Sequence, residues 1–103
     1  MNRKSIEIAD IREAKYAEQG GRCYVCHRPV RYAFFQLAHR IPQRVWCLSR
    51  WGREVIHSPQ NMVGVCGLRC NAKAQMNPDS VEVEDFALAI KRATHYTAPS
   101  ERG

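Results

Sequence analysis

Acidic side chains are nearly missing from the middle of this chain. Residues 22–71 contain one, Glu54, and no lysine, against eight arginines: Arg22, Arg28, Arg31, Arg40, Arg44, Arg50, Arg53 and Arg69. On either side the signs nearly cancel, with four basic and four acidic residues over 1–21 and four basic and five acidic over 72–103. The net charge of +6 is therefore a property of the middle. A block of arginine with almost no carboxylate suits phosphate, which the planar guanidinium fork can bind at two points. Nucleic acid is the expected partner. A solvated basic surface without a partner is the competing explanation.

Long apolar runs are lacking as well. No stretch is long enough to span a bilayer, so no membrane partner is expected. The first residues, Met1-Asn2-Arg3-Lys4-Ser5, start basic, but no apolar segment follows them, which argues against a secretory leader. A cytoplasmic, reducing location is the expectation. Internal repeats and low-complexity segments are absent too. At 103 residues the chain is expected to be one domain. A domain this short gains from a covalent or metal staple.

Five cysteines are present, and a reducing compartment makes disulfides a poor account of them. Cys23-x-x-Cys26 places two thiolates on one turn, and Cys66-x-x-x-Cys70 does the same further on. Tetrahedral zinc needs four such ligands, and two paired knuckles are its usual supply. One structural zinc ion on Cys23, Cys26, Cys66 and Cys70 is therefore expected, with Cys47 left as a buried spare thiol. Buried free cysteines, or a redox pair at Cys23 and Cys26, are the alternatives. His27 adjoins the first knuckle and could replace one cysteine.

The pattern along the chain gives a coarse map. Residues 6–19 read as a helix with Ser5 as cap, Ile8, Ile11 and Ala14 on one face, and Gly20-Gly21 as its end. Residues 33–39 favour a strand. Residues 40–60 lack a clean period and contain Pro42, Gly52 and Pro59. They read as a long functional loop with one helical turn over Val45–Trp51, anchored by Trp46 and Trp51 on the zinc module. Asn61–Val65 reads as a second strand and Cys70–Met76 as a helix stopped by Asn77-Pro78. Ser80 caps a last helix from Val81 to about Thr94, with Val83, Phe86, Ala87 and Ile90 on one face. Tyr96–Gly103 reads as a frayed tail.

Taken in order, Cys23, Cys26, His39 followed by Arg40-Ile41-Pro42, Asn61 before an apolar strand, Cys66, Cys70 and Asn71 resemble the HNH endonuclease family. These are also called ββα-metal or His-Me finger nucleases. The likeness is to the zinc-bearing branch and to small phage and prophage HNH proteins, and it covers residues 21–76. It implies an α+β fold: a small ββα-metal core stapled by zinc, flanked by an N-terminal and a C-terminal helix. It implies a DNA endonuclease with His39 as the base that activates water, a task suited to imidazole. It implies Asn61 as the residue bracing the loop that holds His39. Asn71 matches a ligand for a catalytic divalent cation such as Mg2+, Mn2+ or Ni2+. Arg40, Arg44, Arg50, Arg53 and Arg69 would track backbone phosphates.

The sequence departs from the family at one position. The residue before the base is commonly Asp or His and binds metal, but here it is Ala38. His57 could supply the missing ligand, or His39 could ligate metal while His57 acts as base, or the catalytic site could be lost. The expectation is a metal-dependent nuclease. The alternatives are a zinc-stapled DNA-binding module without catalysis and a zinc domain for protein contacts.

Overall fold

The computed structural model describes the backbone of residues 3–102 and the side chains of residues 8–93. Among these, five α-helices and one two-stranded antiparallel sheet give an α+β arrangement. The elements are α1 (Arg3–Glu18), β1 (Gln36–His39), α2 (Val45–Trp51), α3 (Arg53–Ile56), β2 (Met62–Val65), α4 (Leu68–Ala74) and α5 (Val81–Arg102). Short 3-10 turns at Tyr32–Phe34 and Pro59–Asn61 lead into the two strands. No helix among the described residues is long and apolar enough to cross a membrane.

Two apolar clusters divide the chain. The first gathers Cys23, Ala38, Val63, Val65, Cys70 and Ala74, with Val25 and Val30 against it. It lies where α4 packs on the sheet. The second gathers Ile41, Cys47, Val55, Ile56, Val83, Ala87 and Ile90. Here the face of α5 expected from its 3.6-residue spacing does bury, and Ser80 caps the helix by accepting from the Val83 N–H at 3.3 Å.

The long loop differs from its expected form. It folds into α2 and α3, which join the cluster formed with α5 and not the one that holds the cysteine turns. Trp51 joins that second cluster, while Trp46 remains 41% exposed. Gly52, with φ 85°, makes the break between the two short helices, a backbone conformation that L side chains rarely adopt. Cys47 is fully buried there, as a small core residue should be. Burial also pushes its thiol up, against any nucleophilic role.

Several boundaries shift, and β2 starts at Met62 because Asn61 closes a 3-10 turn. β1 starts at Gln36, because Tyr32–Phe34 turns the chain first. α4 runs from Leu68 to Ala74, and Met76 instead donates its N–H to the Arg40 carbonyl at 2.7 Å. α5 continues to Arg102, so residues 96–102 are helical where a frayed tail is expected, and Gly103 lies outside the described residues.

α1 starts at Arg3, ahead of Ser5, so Ser5 is not its cap. Its docking face is also not the expected one. Ile8 is 51% exposed. The helix attaches through polar side chains instead. Arg12 donates to the carbonyls of Phe35 and Tyr32, and the Tyr16 hydroxyl donates to the Val30 carbonyl at 2.6 Å. The Gln19 amide pairs with both backbone groups of Gly64, at 2.8 and 3.0 Å. Gln19 thereby occupies the free edge of β2, where the Gly64 N–H would otherwise be unpaired. Gly64 is required for a second reason. A Cβ there would meet the Phe35 ring at 1.7 Å.

Candidate functional site

The antiparallel register pairs His39 with Met62 and Gln36 with Val65. It carries Cys66, the next residue after β2, toward the first cysteine turn. That turn closes when His27 adopts φ 64° and donates its N–H to the Cys23 carbonyl at 3.0 Å. Tyr24 then donates to the Gly64 carbonyl at 2.9 Å, docking the turn on β2. Cys70 enters from the first turns of α4.

As a result the sulfurs of Cys23, Cys26, Cys66 and Cys70 all lie within 4.8 Å of one another. Cys26 and Cys66 stand 3.7 Å apart, and Cys66 and Cys70 3.6 Å apart. A tetrahedron with metal–sulfur bonds of about 2.3 Å has edges of roughly 3.8 Å, which these two separations match. The four cysteines can hold a metal ion. Among the described residues His27 is not part of the cluster.

The electrostatics of the cluster point the same way. Burial opposes charge on Cys23. Backbone N–H groups of Cys26, Val25 and Cys66, with the Cys26 thiol, outweigh it and bring Cys23 down to about 6. Cys66 is pushed up to about 12, first by its bond to the Cys70 thiol, then by Cys26 and burial. Cys70 gains from its bond to Cys66, but burial and the Cys23 and Cys26 thiols raise it overall. Without a cation the cluster therefore ionises Cys23 readily and resists charge on Cys66 and Cys70. A divalent ion removes that resistance.

A second group of polar residues lies at the other end of β1. His39 is half-buried, and its Nε2 is enclosed without a hydrogen-bond partner. Its Nδ1 lies 3.2 Å from the Gln43 side-chain amide. The His57 ring stands edge-on to it, with centroids 5.5 Å apart. Burial, then the charge of His57, holds His39 below the ordinary imidazole range.

Asn61 fixes this arrangement. It is fully buried. Its Oδ1 accepts from the Ile41 N–H at 2.7 Å, and its Nδ2 donates to the carbonyls of Ile41 and Ile56 at 3.1 and 2.8 Å. Ile41 follows His39 by two residues and Ile56 precedes His57 by one, so a single amide ties together the segments that carry both rings. Asn61→Ala should cost about 3 kcal/mol, since it leaves several buried backbone groups unsatisfied. Urea unfolding of the two proteins measures this.

The other expected site residues fall into different places. Ala38 is 1% exposed and belongs to the apolar cluster that also holds Cys23 and Cys70, so a carboxylate there would be buried in that core. Asn71 is half-buried on α4, next to Cys70. Arg40 is engaged inside the fold, donating to the Ala74 carbonyl and the Tyr24 hydroxyl, each at 3.0 Å. Arg50 pairs with Glu84 at 2.8 Å. Arg44, Arg53 and Arg69 are exposed, with no ion pair among the described residues. Sequence reasoning did not single out Gln43 or Gln19. Neither belongs to a pattern, and only the position of Gln43 four residues after His39 hints at its contact.

Comparison of the chain with protein-family models, with curated proteins and with solved structures finds no match. Fold and site define a small α+β arrangement with a four-cysteine cluster able to hold a metal ion at one end of its sheet and a braced histidine pair at the other.

Proposed function

We propose that this chain is a metal-dependent endonuclease of the HNH type, hydrolysing DNA phosphodiester bonds on a scaffold held by structural zinc. The observation that carries the reading is His39. It ends β1 with an unpartnered Nε2, faces His57, and is held by a buried asparagine at the position the HNH resemblance assigns to that role. The order β1, β2, α4, with the two cysteine pairs before and after the sheet, supports the same family.

Zinc on four thiolates has no open position, so its part is structural and the chemistry belongs to the histidines. His39 activates the attacking water. Asn61 keeps it in place. Arg44, Arg53 and Arg69 hold the DNA backbone, with affinity but no sequence readout. A divalent ion near the histidines would neutralise charge on the reacting phosphate.

Supercoiled plasmid tests the reading. Zinc-loaded protein with added Mg2+, Mn2+ or Ni2+ should accumulate nicked circles, and none should form without an added ion. A zinc-stapled DNA-binding module is the second reading. Buried Ala38 favours it, as does the lack of a third His, Cys, Asp or Glu beside the histidine pair among the described residues. Plasmid that is bound but uncut with every ion would establish that reading.

The DNA face has its own test. Arg44, Arg53 and Arg69 replaced together by Gln should weaken binding and lower the slope of log affinity against log salt by roughly 2–3, about one unit per lost phosphate contact. Replacing exposed Lys91 and Arg92 on α5 should change little. Filter binding across a salt series separates the two.

A further inference from the structure

We infer that Trp46 is a stacking platform for an unpaired base of the bound DNA strand. The inference rests on the proposed DNA partner and adds a contact to bases where the arginines touch only phosphate.

Packing leaves Trp46 free for this. Cys47, Leu48 and Trp51 of α2 belong to the second apolar cluster. Trp46 stays 41% exposed, and Val45 just before it is 85% exposed. The Trp51 ring stands 6.0 Å from that of Trp46 at a tilt of 46°, so it leans on the indole without lying flat against it. Trp51 itself is engaged by the core and by the Arg50 guanidinium, 5.3 Å from its ring. The open indole surface of Trp46 gains by meeting a flat apolar partner.

Charge selects that partner. Residues 41–53 contain Arg44, Arg50 and Arg53 and no acidic residue. Arg44 immediately precedes the apolar pair, and it and Arg53 are exposed with no ion pair among the described residues. Glu84 reaches α2 from α5 but is already paired with Arg50 at 2.8 Å. A nucleotide joins a phosphate to a flat base in one unit. Arg44 takes the phosphate and Trp46 the base.

Position agrees with the proposed chemistry. Gln43, three residues before Trp46, has its amide 3.2 Å from His39 Nδ1. Three residues of backbone span at most about 11 Å. A strand with its reacting phosphate at His39 therefore brings a neighbouring base to Trp46. In an intact duplex the base faces are covered by their neighbours, so the contact forms only with an unstacked base. Stacking reads no hydrogen-bond pattern, which makes it tolerant of sequence.

Anisotropy of labelled single strands, with zinc-loaded full chain and no added ion, tests the contact. Wild type should bind oligothymidylate roughly tenfold or more tighter than an abasic strand of equal length and charge. Trp46→Ala should lose that preference while keeping its affinity for the abasic strand and for duplex, its zinc content and its circular dichroism. Trp46→Phe should retain most of the preference. Equal affinity of wild type for the two strands would overturn the proposal, as would a preference that survives in Trp46→Ala. A wild-type dimer that Trp46→Ala turns into monomer would assign the face to a second copy of the chain and also overturn it. Plasmid nicked by a wild type without base preference would remove only the stacking contact. A base preference without any nicking would remove only the nuclease reading.

Discussion

Cys23→Ser is expected to yield a chain that holds no zinc and does not fold over residues 21–76. Cys23 is 1% exposed, and its sulfur belongs to both the cluster and the first apolar core. A structural zinc site contributes apparent binding energy of about 10–16 kcal/mol, comparable to or larger than the whole stability of a typical domain at about 5–15 kcal/mol. Three thiols cannot replace it. The same result is expected for Cys26, Cys66 and Cys70. Cys47→Ser is the control. It lies in the other core, so zinc should stay, and a buried hydroxyl should cost about 1–3 kcal/mol. Zinc content and near-UV circular dichroism read both effects together.

His39→Ala should lower plasmid cleavage by about 10²–10⁴-fold, the usual contribution of a residue that activates water. DNA affinity should hardly move, because the group acts in the transition state and contributes little to ground-state binding. Stability should hardly move either, since His39 Nε2 makes no hydrogen bond in the fold. Asn61→Ala should slow cleavage less and destabilise more, because it loosens the loop while leaving the imidazole. A His39→Ala protein with undiminished cleavage would place the chemistry elsewhere.

The cysteine pairs were legible in the sequence because metal ligation demands fixed residue types at fixed short spacings, and the structure brings all four together. The buried face of α5 was legible for a similar reason: Val83, Ala87 and Ile90 follow the helical period. The segment from 40 to 60 was not. Its two helices are too short to show a period, and they are held by packing on α5 and by Asn61, contacts far away in sequence. The docking of α1 was misread because its apolar positions suggested one face while Arg12, Tyr16 and Gln19 attach another through hydrogen bonds to backbone. Such bonds leave no hydropathy signal. The arginine block was visible as charge. The engagement of Arg40 with Ala74 and Tyr24, and of Arg50 with Glu84, depends on partners that only the fold brings near.

The most direct test of the four-thiolate centre is elemental analysis of wild-type protein purified without chelator, paired with titration of its reactive thiols. One tightly held zinc per chain is expected, with Cys23, Cys26, Cys66 and Cys70 becoming reactive only once the metal is removed. Folded protein with no metal, and with those four thiols reactive from the start, would contradict it.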